Sequence, residues 1–258
     1  MKEIIIEKSK TIVIPVIIGS EKDLESKGLK KDEVYAPILL SDMVLAKGAF
    51  EDSYPKAVFI DTGILFDMNS AEFFNLIAYA MRFALENSTN LYGYIINHLY
   101  ELCDMDHDTL EELFEEIYKV HKKILNNKTK EERAKISLLE ALGEYFLAKD
   151  LFTSADSVAF GCIAGANYSY QLGLLQTEDY YEIRDMFVPF GLSISQTKLD
   201  KKTLYKECLE YLKDNYELEN VLALKKIGKA SEAVDLEAHE AFNEKMFESV
   251  YFDEYSCD

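Results

Sequence analysis

The pattern of hydrophobic and polar positions predicts a short hairpin at the start of the chain. Two β-rich runs, Ile4–Ile6 and Ile12–Ile18, flank the polar segment 7–10, and the second run ends at Gly19-Ser20. Apolar runs of this length separated by a short polar segment are typical of an antiparallel pair of strands.

A second short strand precedes a long helix. The apolar run Ala57–Ile60 lies between Pro55 and the turn-forming segment 61–63, which predicts a strand. Ser70, with Glu72 in the first turn, then begins a helix. The spacing of its apolar residues predicts that one side of the helix and part of another are buried: Phe73, Phe74, Leu76, Ile77, Ala80, Met81, Ala84 and Leu85.

From residue 70 onward, helical periodicity dominates. It predicts helices over 70–86, 88–103, 107–126, 129–149, 154–174, 177–189, 201–214 and 231–250. Asp106 or Asp108 is expected to cap the third helix. The acidic side of that helix, formed by Glu111, Glu112, Glu115 and Glu116, could bind a cation, but its spacing favours a solvated face.

Composition and charge exclude several classes of protein. The 258 residues carry a net charge of −19, which argues against a nucleic-acid partner and opposes an anionic substrate unless a local cationic pocket is present. Cys103, Cys162, Cys208 and Cys257 are widely spaced, as expected for free thiols in the cytoplasm. The longest apolar run contains Pro15 and is far too short to span a membrane.

The usual nucleotide-binding motifs do not occur. The sequence contains neither G-x-G-x-x-G nor G-x-x-x-x-G-K, whose glycine turns would hold a phosphate at a helix N-terminus. The segment between Ser20 and Val34 is mostly polar, rich in lysine and glutamate, and too short for a βαβ unit. We therefore expect no nicotinamide cofactor.

The segments Lys47–Phe50 (KGAF) and Lys56–Thr62 (KAVFIDT), followed by the helix that starts near Glu72, resemble the 3-dehydroquinate synthase family. The resemblance implies a mainly α fold: a multi-helix domain like the C-terminal half of dehydroquinate synthase, with a small N-terminal β portion. On this basis residues 1–62 are a β-rich remnant of the N-terminal domain and residues 63–258 are the helical domain. Asn220–Lys229 resembles a late strand of the family.

The same resemblance locates the family's metal ligands. The family holds a divalent metal, usually zinc, with one glutamate and two histidines beside NAD. The segment that matches G-L-A-E-V-I-K-Y-G is 75–83, which has Ala78 at the ligand and Met81 at the lysine. Segment 136–141 matches G-H-T-F-G-H, with Ser137 and Ala141 at the histidines, and segment 153–162 matches L-H-G-E-A-V-A-x-G-M, with Ser154 at the ligand. We therefore expect no metal.

Five residues remain as catalytic candidates, each with a structural interpretation beside it. Lys47 matches a family lysine, Glu144 falls where the family keeps a glutamate, and Lys213 lies opposite a D-K-K segment. In a rearranged site, Glu72, Asp156 and Glu144 are the candidate replacement carboxylates. Lys47, Arg82 and Lys213 are the candidate phosphate contacts. A solvated turn, a helix surface or a surface pair with Asp214 explains such residues equally well. His98, His107, His121 and His239 form no helical metal-binding pair.

The sequence leaves three hypotheses for the function. The first is a divergent 3-dehydroquinate synthase-like protein without the NAD- and metal-dependent activity, a pseudoenzyme that acts as a binding or association module, either as a homodimer or paired with a full-length relative. The second is an active carbon–oxygen lyase of the family, or a sugar-phosphate enzyme, with a rearranged site. The third is a small-molecule binder that uses the vacated cleft, lined by Tyr79, Arg82 and Phe83.

Overall fold

The computed structural model describes residues 3–6, 14–17, 65, 69–196, 198–234, 236 and 240–252. In this part of the chain the secondary structure is mainly α-helical, as expected from the sequence. The chain divides into two compact units, Met1–Asn69 with Met105–Arg133 and Ser70–Asp104 with Ala134–Asp258. The strand expected at 57–60 and the expected domain boundary after residue 62 lie outside the described residues.

The bounds of the elements are as follows. The helices are α1 (Ser70–Asn87), α2 (Thr89–Asn97), α3 (Leu99–Cys103), α4 (His107–Asn127), α5 (Lys130–Arg133), α6 (Leu138–Ala148), α7 (Ser154–Gln171), α8 (Thr177–Asp185), α9 (Lys201–Asn215) and α10 (Glu244–Tyr251). The strands are β1 (Glu3–Ile6), β2 (Ile14–Ile17), β3 (Ile136–Ser137), β4 (Val221–Lys226) and β5 (Lys229–Ala233). Short 3-10 turns cover Val188–Phe190 and Leu218–Asn220.

The first unit contains the N-terminal hairpin and α4. β1 and β2 pair antiparallel, with Glu3 opposite Ile17, so the predicted hairpin is confirmed. Asp106 caps α4, because its carboxylate accepts a hydrogen bond from the Thr109 amide at 2.9 Å. The apolar face of α4 is buried and its acidic side is exposed to solvent, where Lys119 pairs with Glu116 at 2.7 Å. The acidic side is therefore a solvated face, as predicted.

The second unit is built around the packing of α6 against α7. Glycines allow the two helices to approach closely, since a Cβ added to Gly161 would lie 2.5 Å from the Gly143 amide nitrogen. Further along α7, a Cβ at Gly165 would meet the Leu139 side chain at 2.6 Å. A ring cluster covers this core, in which Tyr251 of α10 donates a hydrogen bond to the Phe160 carbonyl at 2.7 Å.

A small sheet, in the order β3-β4-β5, lies beside these helices. β3 pairs parallel with β4, and β4 pairs antiparallel with β5. The turn between β4 and β5 reaches the junction of α1 and α2, where the Gly228 amide donates to the Leu85 carbonyl at 2.8 Å. Gly228 has φ +80°, and a Cβ there would lie within 2.6 Å of the Ser88 carbonyl carbon, so only glycine fits.

The helices predicted at 70–86, 107–126 and 201–214 are confirmed, as is the late strand. The other five differ from the prediction. The helix predicted at 88–103 is interrupted at His98, which has non-helical backbone angles. The helix predicted at 129–149 is wrong between 134 and 137, because Ile136 and Ser137 pair with Val221 and Leu222 of β4. A long helix over 231–250 is also wrong.

Each of the remaining differences has a local physical cause. The start of the segment 231–250 belongs to β5, which pairs with β4 as far as Ala233 opposite Leu222, and α10 begins only at Glu244. The helix predicted at 177–189 ends at Asp185, ahead of the 3-10 turn that contains Pro189. A proline lacks an amide hydrogen, so it does not continue an α-helix. α7 ends at Gln171, just before Gly173 with φ +73°.

Candidate functional site

Helix α1 presents three residues of interest on one side of the helix. Ala78, Arg82 and Glu86 follow one another at intervals of four residues, which places them one above another on the same face. Ala78 is fully buried, and only 4% of Arg82 is exposed. This face therefore carries a buried positive charge in the interior of the second unit.

Two carboxylates from different helices flank the Arg82 guanidinium. Its Nε lies 3.6 Å from Oε1 of Glu86 on α1, and its Nη2 lies 3.4 Å from Oε1 of Glu140 on α6. The Nε has no direct hydrogen bond within the described part of the chain. At these distances the contacts with Glu86 and Glu140 are ion pairs rather than short hydrogen bonds.

Ser137 connects the ion pairs to the start of α6. Its hydroxyl donates to Oε1 of Glu86 and accepts a hydrogen bond from the Glu140 amide at 2.9 Å. Ser137 is thus the N-cap of α6 and fixes Glu140 in the first turn. We call Arg82, Glu86, Ser137 and Glu140 the arginine cluster.

The electrostatics of the arginine cluster favour a permanently charged guanidinium. Burial alone would lower the pKa of Arg82, but Glu86 and then Glu140 outweigh that effect and raise it above its usual value. Cys162 of α7 is fully buried next to the cluster, and burial followed by the charge of Glu86 raises the pKa of its thiol. This thiol is therefore neutral near pH 7 and is not an activated nucleophile.

Tyrosine rings line the outer side of the cluster. The Arg82 guanidinium lies 5.4 Å from the ring centre of the half-buried Tyr79. Burial raises the pKa of Tyr79, and Arg82 opposes that effect. On α9 and just beyond it, Tyr211 and Tyr216 pack with ring centres 6.4 Å apart. Burial is the main cause that raises the pKa of Tyr216, followed by Tyr211. The negative charges of the half-buried Glu144 and of Glu140 raise it further.

The segments that match the family's metal ligands come together in the fold. Asn75 of α1 accepts a hydrogen bond from the Ala155 amide of α7 at 2.8 Å, which joins the neighbourhoods of Ala78 and Ser154. Ser137 is joined to α1 through Glu86. Met81 and Ala141, at the lysine and second histidine positions, are fully buried core residues.

The residues at these positions do not fit a divalent metal. The methyl group of Ala78 has no lone pair, and the Ser137 hydroxyl is engaged with Glu86 and the α6 N-terminus. In the described part of the chain, no group of three or more His, Cys, Asp or Glu side chains is arranged to hold a metal ion. Ser137 instead donates to Glu86, which pairs with the Arg82 guanidinium at 3.6 Å.

The other candidates lie elsewhere or have structural contacts. Thr153 is the N-cap of α7, and the Asp156 carboxylate in the first turn accepts hydrogen bonds from the Thr153 hydroxyl at 2.8 Å and from the Ser193 amide at 2.9 Å. Lys213 is exposed in the last turn of α9, and Glu72 is exposed in the first turn of α1. Lys47 lies outside the described residues.

Phe83, which was expected to line a cleft, lies in the core. Glu86 and Glu140, the two partners of Arg82, were not predicted from the sequence. Phe83 is 3% exposed and belongs to the hydrophobic core rather than to a cleft. Glu86 could have been recognised from its i, i+4 spacing to Arg82. Glu140 could not, because its contact with α1 depends on how α6 packs.

The histidines do not assemble a second site within the described residues. His107 is exposed at the start of α4, and His121 is buried on the same helix. His98 stacks on Tyr94, with ring centres 4.4 Å apart. His239 lies outside the described residues.

Sequence comparison finds two similar curated proteins. The chain is 25% identical over 193 residues to the 3-dehydroquinate synthase of Thermoanaerobacter pseudethanolicus, which covers 71% of this chain and 52% of that protein. It is 24% identical over 168 residues to the 3-dehydroquinate synthase of Thermoanaerobacter sp. strain X514, over 62% of this chain and 46% of that protein. The chain thus spans about half the length of these relatives. No protein-family profile matches it.

Comparison with solved structures agrees with the sequence comparison. The structure of 2-epi-5-epi-valiolone synthase ValA from Streptomyces hygroscopicus subsp. jinggangensis 5008, with NAD+ and Zn2+ bound, superimposes with a TM-score of 0.61 and 13% identity. The match covers 92% of this chain and 72% of that one. None of the helices described for our chain has the length and apolar character to cross a membrane. The sequence similarity and the shared fold together support a dehydroquinate synthase-like family for this chain.

Proposed function

We propose that the chain is a divergent dehydroquinate synthase-like protein that lacks the NAD- and metal-dependent activity and acts as a binding or association module. The single observation that carries the proposal is the arginine cluster. At the positions that match metal ligands the chain has Ala78, Ser137 and Ser154, and Ser137 serves to bind the counterion of a buried arginine.

The chemistry of a metal-dependent lyase of this kind needs a Lewis acid to polarise a substrate oxygen. A guanidinium donates hydrogen bonds but has no vacant coordination position. Arg82 is also enclosed by Glu86 and Glu140, which neutralise its charge. It is therefore a poor substitute for a metal in that reaction.

Packing residues support a role that requires the fold rather than the reaction. Gly161 and Gly165 allow α7 to approach α6 closely, and the aromatic core around Phe160 and Tyr251 is continuous. A chain that keeps the packing of a helical domain while its ligand positions change retains a surface for association. We propose that its partner is a second copy or a full-length relative.

Activity is tested by a direct assay. The purified chain is incubated with NAD, Zn2+ and the family's heptulosonate phosphate substrate, and phosphate release is measured beside a full-length Thermoanaerobacter synthase as positive control. We expect no release above the blank. Phosphate release that depends on NAD and stops on addition of a chelator would contradict the proposal.

If release is observed, variants identify the site. A rearranged enzyme would use Arg82 and Asp156, so R82A and D156A would lose activity. Because the Asp156 carboxylate also accepts structural hydrogen bonds from Thr153 and the Ser193 amide, the conservative variant D156N separates the two roles: it keeps the hydrogen-bond acceptor for Ser193 and removes the charge. Glu178, an exposed carboxylate in the first turn of α8, supplies a matched control in E178Q.

Association is tested separately. Sedimentation velocity over a wide concentration range gives the mass of the chain alone and when mixed with a full-length relative. A dimer, or a complex that contains both proteins, is the expected result. A monomer at every concentration with no mixed complex would remove the association part of the proposal.

A further inference from the structure

The positive charge of the arginine cluster belongs to a side chain of the protein, Arg82. In the resembled family a positive charge lies where three ligand side chains meet, and in this chain Arg82 lies four residues after Ala78 on the same face of α1. The guanidinium pairs with Glu86, which accepts a hydrogen bond from the Ser137 hydroxyl. It also pairs with Glu140, three residues after Ser137 in the first turn of α6. A buried side chain with a positive charge is costly unless carboxylates accompany it.

The carboxylates are positioned for a cation. Glu86 belongs to α1 and Glu140 to α6, so each helix contributes one negative charge to the same point. Their side chains are 12% and 23% exposed. Without Arg82 they would repel each other across a nearly closed space, together with the Ser137 oxygen that now donates to Glu86.

We propose that Arg82 replaces the divalent metal as the cation that holds α1 to the N-terminal end of α6, so that this domain folds without a metal ion. The proposal rests on the proposed function in one respect, the interpretation of positions 78 and 137 as former ligands. The ion pair then carries out the structural part of a metal's role, in which charge attraction joins two elements. The catalytic part of that role is absent.

The proposal predicts that the cluster regains an affinity for metal when the arginine is removed. In R82A, Glu86, Glu140 and the Ser137 hydroxyl offer oxygen ligands, which are those that Mg2+, Ca2+ and Mn2+ prefer. Thermal melting of R82A is measured in each chloride and in NaCl of equal ionic strength. We expect R82A to melt at a lower temperature than the native chain. Millimolar divalent cation should restore at least half of this decrease, and NaCl should not.

Three further variants serve as controls. The native chain and R82K, which keep the cation, should gain no stability from divalent ions beyond that of NaCl. The neutral variant R82A/E86Q/E140Q should fold, because neutral side chains replace the whole charged group, and it should show no recovery. R82A/A78E adds a carboxylate one turn away, so its recovery should occur at a lower concentration of the cation.

Each outcome decides for or against the proposal. Recovery of R82A by divalent ions, absent from the triple variant, supports it, including the case in which R82A folds only when a divalent ion is present. The proposal is overturned if R82A melts like the native chain, if no divalent ion restores it, or if the triple variant recovers equally. None of these melting results depends on turnover, so failure of the proposed function and failure of this proposal are distinguishable.

Discussion

Nη2 of Arg82 lies 3.4 Å from Oε1 of Glu140, and this contact joins two helices whose starting points are far apart in the sequence. Both side chains are largely withdrawn from solvent. Because Ser137 caps the helix of Glu140 and also donates to Glu86, the carboxylates on both sides of the guanidinium are linked. The cluster thus behaves as one unit, and a change in one member should affect the others.

The first prediction concerns the charge of Glu86. E86Q keeps an oxygen that accepts the Ser137 hydroxyl but removes the counterion of Arg82, so the buried guanidinium loses part of its compensation. We expect the free energy of unfolding to fall by roughly 2–3 kcal/mol, the range for loss of a charged partner at a buried site. Chemical denaturation with urea measures it.

Glu144 provides the matched control for this prediction. It is a half-buried carboxylate on α6, one turn after Glu140, and it has no ion pair or hydrogen bond with the described residues. E144Q should change the stability by less than about 0.5 kcal/mol. Equal losses in E86Q and E144Q would show that the cluster contributes no specific stabilisation.

The second prediction concerns the contact between α6 and α7. G161A would place a methyl group 2.5 Å from the Gly143 amide nitrogen, where backbone atoms cannot move aside independently. We expect a loss of at least about 3 kcal/mol in the free energy of unfolding, since the two helices must separate. Circular dichroism during thermal melting follows it.

Gly93 provides the matched control for the helix contact. It also lies within a helix, α2, and a Cβ added there meets nothing within 4 Å. G93A should be neutral or stabilising by up to about 1 kcal/mol, because alanine favours a helix over glycine. A G161A variant as stable as G93A would contradict the close packing of α6 and α7.

How far the sequence predicts this fold depends on whether local or distant contacts decide an element. α1 was expected at 70–86 and runs over Ser70–Asn87, because strong apolar periodicity determines it locally. Residues 231–233 of β5 were expected to be helical, and the strand sequence KASEA has no β-branched residue. Its conformation comes from pairing with β4 and from the positive φ of Gly228, which are tertiary constraints.

In the candidate site, too, local features could be predicted from the sequence and tertiary contacts could not. That Ala78, Ser137 and Ser154 stand at the family's metal-ligand positions is a prediction from the resemblance in sequence alone. The contact of Arg82 with Glu86 follows from helical spacing, whereas its contact with Glu140 requires the packing of α6. Sequence reasoning treated Asp156 as a catalytic candidate, because it could not know that Thr153 and the Ser193 amide occupy that carboxylate.

The third prediction concerns thiol reactivity. Cys162 and Cys208 are fully buried, and burial raises the pKa of both thiols. In the variant C257S, which removes the fourth thiol, we expect only Cys103 to react with a disulfide reagent in the folded protein. Cys103 is half-buried and donates to the Pro189 carbonyl at 3.3 Å, so its reaction should be slower than that of a free thiol.

The double variant C103S/C257S is the control for thiol labelling. It should show no reaction until denaturant unfolds the chain, after which both remaining thiols react. Rapid labelling of Cys162 in this folded variant would mean an accessible, ionised thiol beside the arginine cluster. That result would revive the hypothesis of a rearranged enzyme.

The fourth prediction concerns pH. Nζ of Lys149 lies 2.5 Å from Oε2 of Glu207, and this hydrogen bond lowers the pKa of the Glu207 carboxyl in the folded chain. A carboxyl group with a lowered pKa stabilises the folded state at pH values above its pKa in the unfolded chain, which is about 4.3. This stabilisation is lost as the pH falls through the pKa of the group in the folded chain. E207Q should therefore be less stable than the native chain at pH 7, with a gap that closes below about pH 4.

Glu210 offers the control for the pH series, because it is exposed on the same helix, α9. E210Q should stay within about 0.5 kcal/mol of the native chain at neutral pH. A constant gap between the native chain and E207Q from neutral to acid pH would indicate that packing, not the ionised carboxylate, accounts for the effect of that substitution.

The central claim is that the family's metal ion has no place in this chain, and its most direct test is the metal content of the protein itself. The chain is purified gently, without added metal or chelator, and its metals are measured by inductively coupled plasma mass spectrometry. We predict no stoichiometric divalent metal in the native chain. About one zinc or similar ion per chain, retained through gel filtration and removed by a chelator, would contradict the account.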